Sequence, residues 1–294
     1  MKLATAAYKM DFLDSWDGYV AKLTDWVGEA AGNGADLMVF PEYGAMELAT
    51  LSGRAAAMDL ETSLHAVADR IPAVDALHAE LARKHGVHIL AASAPVFDAR
   101  IGDRPVNRAR LFVPSGAMGH QDKQIMTRFE REDWGVIGGG PLALFDTSLG
   151  KIGILICYDS EYPLLARALK DADMLLVPSC TEAAHGYNRV RIGSMARALE
   201  QQCVTVMSST VGDCDWSWSV ETNHGAGGIF GPPDTGFPAD GVLAQGAMDK
   251  PGWTYATLDL DAVARVRKDG VVLNRSHWDE QAGRDGPAEL RDLS

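Results

Sequence analysis

With 294 residues, 47% of them hydrophobic, the chain has material for one large α/β domain or two ordinary ones and is not disordered. Its formal charge of -13 leaves no basic footprint, which argues against nucleic acid or an anionic membrane as partner. No apolar stretch approaches the roughly 20 residues of a membrane span, and the run Leu3 to Tyr8 is shorter than the core of an export signal. A cytoplasmic protein is therefore expected.

Helical and strand periods alternate along the chain. Tyr19, Val20, Leu23, Trp26, Val27 and Ala30 recur at helical spacing. Gly32-Asn33-Gly34 stops that helix before a strand at 36–40, which makes an αβ unit. A second helix, 73–85 with Leu77 and Leu81 on one face, ends at Gly86 and leads into a strand at 87–92. Residues 110–113 read as a strand followed by the turn Pro114-Ser115-Gly116; 142–145 and 152–156 read as strands joined at Ser148-Leu149-Gly150, a hairpin that implies a mixed sheet. Helix 162–170 precedes strand 174–177. Helix 188–201, with Ile192, Met195, Ala196 and Leu199 as its apolar face, precedes strand 204–207. Residues 213–238, rich in Gly, Pro, Asp and Trp, form a long loop around one short strand near Gly228-Ile229-Phe230. No linker, charge block or low-complexity segment divides the chain, so one domain over 1–294 is expected, with 260–294 as a C-terminal extension.

Chemistry concentrates where apolar runs end. Ile152 to Ile156 stops on Cys157, Val39-Phe40-Pro41 stops on Glu42, and His120-Gln121-Asp122 brings Lys123. A cysteine near its ordinary pKa is only a few per cent thiolate at neutral pH, so a nucleophilic one needs a base or a cation beside it. A buried Glu42 can take the thiol proton and later deliver one to a leaving amine. Lys123 and the Tyr158 N–H can face a developing oxyanion. Taken one by one, the bland readings are a buried apolar Cys, a turn Glu and a surface Lys.

The agreement around all three residues changes the reading. Phe40-Pro41-Glu42, then His120 to Lys123 with Glu130-Arg131 and Trp134-Gly135, then Gly153 to Asp159 with Tyr162-Pro163 resemble, in the same order, the motifs of the nitrilase or carbon-nitrogen hydrolase superfamily. The similarity runs on through Pro178-Ser179 and Met195 to Glu200. This resemblance implies a four-layer αββα sandwich with two mixed sheets, a Glu42–Lys123–Cys157 triad, and a homodimer or higher oligomer. It also brings forward Glu130 as a second glutamate, with Glu132 as its competitor. True nitrilases tend to follow the cysteine with Trp-Glu. Cys157-Tyr158-Asp159 is closer to the amidase and carbamoylase branches, so a small amide or carbamoyl compound is expected as substrate. A nitrilase, an acyltransferase using the same thioester, and an inactive binding protein are the alternatives.

Tyr43, Tyr158, Glu161, Ser179 and Cys180 sit beside the strand ends and are candidate substrate-binding residues. Asn188-Arg189-Val190-Arg191 and Arg197 are candidates for a substrate carboxylate, and His185 and His224 are loop histidines; surface or interface roles compete in each case. The four cysteines, Cys157, Cys180, Cys203 and Cys214, are too sparse for a disulfide framework. His85 and His88 straddle Gly86 with no cysteine pair, so no metal and no cofactor is expected.

Overall fold

The computed structural model describes residues 1–284 and 286–294. In chain order the strands are β1 (Lys2–Lys9), β2 (Leu37–Val39), β3 (His88–Val96), β4 (Val106–Phe112), β5 (Met118–Asp122), β6 (Leu144–Thr147), β7 (Gly150–Ile154), β8 (Met174–Ser179), β9 (Val204–Asp213), β10 (Thr222–Asn223), β11 (Gly228–Phe230), β12 (Val242–Gln245) and β13 (Gly252–Thr257). The helices are α1 (Trp16–Gly32), α2 (Arg54–Met58), α3 (Leu60–His85), α4 (Pro163–Ala168), α5 (Ala184–Gln201) and α6 (Leu260–Asp269), followed by the short turn Asn274–His277.

Backbone pairing gives two mixed sheets. One runs β5-β4-β3-β2-β1-β13 and the other β6-β7-β8-β9-β11-β12. They join where the ends of β1 and β9 pair, Ala7 with Ser209 through Lys9 with Val211. The period-2 alternation of side chains decides what lies on each face. Leu3, Leu37, Val39, Leu90 and Leu111 of the first sheet share a cluster with Ile152, Ile154, Met174, Leu176, Val204 and Val206 of the second, so these faces meet. The opposite face of the first sheet, through Ala4, Ala6, Met38, Phe40 and Ile89, packs on Leu23 and Val27 of α1 and Leu64, Val67 and Val74 of α3. Beyond the second sheet lie α4, through Ala166 against Leu155 and Leu175, and α5, where the Thr205 hydroxyl donates to Ser194 O at 3.1 Å. The result is a four-layer αββα sandwich. Each fully buried Val, Leu or Ile contributes about 1.5–3 kcal/mol relative to exposure.

Element boundaries follow local chemistry. Ser15 caps α1 by accepting the Gly18 N–H at 3.1 Å. Gly86, at φ +67°, closes α3 in the left-handed region. Two expectations need correction. The helix expected from residue 73 begins at Leu60: Pro72 lies inside it, and Leu64, Val67, Ile71 and Val74 carry the buried face straight past the proline. In α5 the buried face is Gly186, Tyr187, Val190, Gly193, Ser194, Arg197, Ala198 and Gln201, while Ile192 is 64% exposed and Leu199 40% exposed. Ile192 and Leu199 therefore face outward, while Met195 between them is partly buried against the inter-sheet cluster; the side of α5 turned inward carries Gly193 against Ser160 and Ser194 against Thr205 of β9.

Strand direction positions the site. β2 pairs parallel with β3, and β5 is two antiparallel steps from β3, so β2 and β5 share a direction. β7, β8 and β9 are parallel to one another, and β9 to β1 and β2. The carboxyl ends of β2, β5, β7 and β8 thus open on one edge, the usual place for a ligand in α/β sheets.

Candidate active site

Glu42 leaves β2 on a segment that stays hydrogen-bonded to β3: Phe40 N–H to Leu90 O at 2.9 Å and Ser93 N–H to Pro41 O at 3.1 Å. Pairing of β3 with β4 is irregular between Ala91 and Ala94. Ser93, inside that irregularity, accepts the Tyr43 N–H at 3.0 Å. Tyr43 itself sits at φ +53°.

Lys123 follows the last residue of β5. The register is locked by Arg108 opposite Asp122, whose guanidinium and carboxylate pair through two contacts of 2.6 and 2.9 Å. The Lys123 N–H extends the ladder to Asn107 O at 2.9 Å, and the Gly139 N–H returns to Lys123 O at 3.0 Å. A Cβ on residue 139 would stand 2.0 Å from Asp122 Cβ, so only glycine fits there. The buried ammonium donates to Glu42 Oε1 at 2.7 Å and to Glu130 Oε2 at 2.6 Å. Glu130 opens a five-residue helical turn, Glu130–Trp134. Glu132 points outward and pairs with the exposed Arg128 at 2.7 Å.

Cys157 begins the turn Cys157–Glu161 just past β7, at φ +49°. A cysteine held in the left-handed region marks a sharp reversal of the chain. Three side chains support it. Ser160 Oγ donates to Cys157 O at 2.6 Å, and the Arg197 guanidinium donates to Ser160 O at 3.1 Å. The buried Asp159 carboxylate accepts the N–H groups of Ile125 at 2.9 Å, Gln124 at 3.1 Å and Ile156 at 3.3 Å, tying the turn to the segment after Lys123. The thiol faces Cys180 O at 3.9 Å and lies within electrostatic reach of the Glu42 carboxylate. The triad expected from sequence and its second glutamate thus converge in one buried cluster.

The two glutamates differ in their surroundings. Burial pushes Glu42 up to about 7, opposed by Lys123 and reinforced by Glu130. Burial acts on Glu130 in the same sense, but Lys123 and hydrogen bonds from Thr127 and Tyr43 outweigh it and hold this carboxyl below the ordinary range. Its Oε2 takes the Thr127 N–H and hydroxyl, both at 2.9 Å, and its Oε1 the Tyr43 hydroxyl at 2.8 Å. Burial disfavours the Lys123 charge, yet the two carboxylates prevail and raise its pKa well above normal. Burial and then Glu42 push the Cys157 thiol up against the pull of Lys123, so the resting sulfur is protonated.

The other candidates are only partly brought together. Tyr43 is buried and braces Glu130. Cys180 donates its backbone N–H to Glu42 Oε2 at 3.0 Å, while its thiol turns to Asn223 Oδ1 at 3.3 Å. Tyr158 packs edge-on to Tyr162, ring centres 5.0 Å apart. Ser179 and Glu161 make no side-chain hydrogen bond to the cluster among the described residues. The Ser179 hydroxyl donates to Ser208 O at 2.7 Å, bridging β8 to β9, and Glu161 lies 3.4 Å from Arg189 of α5. Arg197, buried on Ser160 and Glu200, is a support of the turn and not a surface cation. Arg191 pairs with Gln245, Asn188 bonds Ala184 O, His224 pairs with Asp249 at 3.0 Å, and His185 is exposed. Among the described residues no group of three or more His, Cys, Asp or Glu side chains is placed to hold a metal ion, and no helix is long and apolar enough to cross a membrane.

Sequence reasoning missed Asn107 as a site residue and gave Asp159 no task of its own. Asn107 is buried on β4, with Nδ2 2.9 Å from Glu42 Oε1 and 3.4 Å from Glu130 Oε1. Its only signal is position, immediately before Arg108 of the Arg108–Asp122 pair that fixes the strand register.

Comparison with known proteins agrees with this architecture. A model of the family described as carbon-nitrogen hydrolase matches residues 3–268. The chain is 33% identical to "Probable hydrolase YhcX" of Bacillus subtilis over 92% of its own length, and spans about half, 52%, of that protein. It is 27% identical to "Nitrilase 3" of Arabidopsis thaliana, covering 84% of this chain and 75% of that one. It is 28% identical to "Deaminated glutathione amidase" of a Synechocystis strain, over 64% and 70%. The solved carbon-nitrogen hydrolase of Helicobacter pylori superposes with a TM-score of 0.73 at 20% identity, over 97% of this chain and 95% of that one. With its sandwich, its strand-end cluster and a family match over nearly the whole length, this chain belongs to the carbon-nitrogen hydrolase family.

Proposed function

We propose that the protein hydrolyses a small amide or carbamoyl compound through a thioester on Cys157, with Glu42 as proton carrier and Lys123 as oxyanion donor. The observation that carries this reading is the buried Lys123 ammonium held between two carboxylates, 2.7 Å from Glu42 and 2.6 Å from Glu130, in surroundings that raise the first acid and lower the second. Environments that split like groups in this way assign acid–base roles.

Glu42 takes the Sγ proton as the sulfur attacks the substrate carbonyl carbon. The oxyanion develops against the Tyr158 backbone N–H and against Lys123, which uses two of its three N–H bonds on the carboxylates and keeps one. Protonated Glu42 then gives its proton to the departing nitrogen, the C–N bond breaks, and ammonia or an amine leaves a thioester. Glu42 next deprotonates a water that attacks this thioester, and the released thiolate recovers the proton as the acid departs. Glu130 remains ionised throughout and fixes Lys123. The Tyr-Asp pair after the cysteine favours an amide over a nitrile, in keeping with an amidase among the relatives.

The exposed stripe Ile192 and Leu199 on α5, with Leu164 of α4 at 74% exposure, supports a second reading at the level of assembly: two copies pack these helices together as a homodimer.

The test is mass spectrometry of the protein mixed with short aliphatic amides, carbamoyl amino acids and nitriles, with and without an added amine. An acyl adduct on the peptide carrying Cys157, formed with amides and released as the free acid, is the expected result. Turnover without such an adduct, or one carried by another cysteine, overturns the reading. Diversion of product to the added amine marks an acyltransferase.

A further inference from the structure

We infer that Asn107 is a positioning residue that pins one carboxylate oxygen of Glu42, so that the proton carried during amide hydrolysis travels through the other oxygen alone. The inference rests on the function proposed above. Glu42 Oε1 accepts from Lys123 Nζ at 2.7 Å and from Asn107 Nδ2 at 2.9 Å, which occupies both of its lone pairs. Oε2 accepts only the Cys180 N–H at 3.0 Å among its described partners, leaving one lone pair for the thiol and later the leaving nitrogen.

The orientation of the Asn107 amide follows from its neighbours. Nδ2 lies between two carboxylates, 2.9 Å from Glu42 and 3.4 Å from Glu130; exchanging nitrogen and oxygen would set a carbonyl dipole against both anions. Asn107 Oδ1 is buried without a hydrogen-bond partner among the described residues, so the side chain gives up one satisfied group to keep its donor between the glutamates. A neutral donor suits the task. A second cation would hold Glu42 too firmly ionised to protonate the leaving group, and an acid would add a third negative charge. The titratable groups around Glu42 are Lys123 and Glu130 after β5, Cys157 after β7 and the adjacent Tyr43, with the Cys180 thiol nearby but turned toward Asn223. Asn107 is the uncharged side chain that reaches both acids. The Asn107 backbone oxygen independently holds the Lys123 N–H, so a side-chain substitution leaves that rung of the ladder.

The test compares pH profiles of kcat/KM for wild type and Asn107→Leu, using the amide that acylates wild-type Cys157 fastest. Removing a donor to the ionised form makes Glu42 harder to deprotonate. The acid limb is therefore expected to move up by about one pH unit, with roughly tenfold lower activity below it and KM little changed. A role in packing alone would lower the plateau and leave the limb in place, and that result overturns the inference. Should Asn107→Leu fail to fold, Asn107→Ser, too short to span both acids, is read in the same way. If wild type forms no Cys157 adduct with any compound of the panel, the functional reading falls and this inference with it. If the adduct forms and the limb stays unmoved in a folded variant, only the Asn107 inference falls.

Discussion

At the scale of single residues, two cysteines near one glutamate are told apart by what engages their thiols. Cys157 Sγ lies 3.9 Å from Cys180 O, whereas Cys180 gives Glu42 its backbone N–H and turns its thiol to Asn223 Oδ1 at 3.3 Å. Cys157→Ala is expected to abolish turnover while the protein still folds, because loss of one sulfur leaves a small cavity; Cys180→Ala should keep turnover near wild type. Steady-state kinetics beside a thermal melt checks both, and an active Cys157→Ala enzyme would end the nucleophile assignment. Glu42 adds a pH signature. As the proposed base it must be ionised, so activity is expected to rise as pH increases through about 7. Its folded pKa lies above the ordinary 4.5, so between those values the native state holds a proton that the unfolded chain has lost, and stability falls as pH rises across that window. Glu42→Gln removes this slope. The melting temperature of the variant relative to wild type should therefore climb from pH 4.5 to 7, and parallel curves would show that Glu42 does not carry the titration.

At the scale of elements, the sequence was most readable where apolar runs end abruptly. Glu42, Lys123 and Cys157 each follow a strand, and strand ends leave a local signature. What escaped reading depends on partners far along the chain. Asn107 meets Glu42 65 residues away, and Asp159 reaches Gln124 across 35; no local period encodes such distances. The helix expected from residue 73 erred in the opposite way: the buried face Leu64, Val67, Ile71 and Val74 continues across Pro72, so tertiary packing extends the helix back to Leu60. Gly193 combines both difficulties. A Cβ there would stand 2.9 Å from Ser160 O and 3.1 Å from its Oγ, so α5 lies directly under the Cys157 turn only because residue 193 has no side chain. Gly193→Ala would improve intrinsic helix propensity by about 1 kcal/mol but must push the turn away. Its expected outcome is a kcat reduced on the order of tenfold or more, as ångström-scale misplacement of a reacting group implies, with the melting temperature little altered. Wild-type kcat in that variant would show that the turn tolerates displacement.

At the scale of the whole molecule, the apolar face expected on α5 divides: Met195 packs against the core, whereas Ile192 and Leu199 face solvent. Ile192 and Leu199 lie seven residues apart on one outward face of α5, and Leu164 of the neighbouring α4 is exposed beside the same layer. Large apolar side chains exposed on neighbouring helices are candidates for a covering surface. In the proposed homodimer a second copy would cover them with the same two helices, since a two-fold axis makes one patch serve both partners. Opposing it is charge, since each chain carries -13 and like charges repel. Apolar burial is insensitive to modest salt whereas repulsion is screened, with a Debye length of about 10 Å at 0.1 M. Wild type is accordingly expected to sediment as a dimer or larger assembly, with association tightening as salt rises from low concentration. Leu164→Glu with Ile192→Glu should give a folded monomer, because it removes apolar area and adds negative charge at the contact. A monomeric wild type at micromolar concentration and moderate salt, or a double variant that associates as wild type does, would leave these helices without a partner.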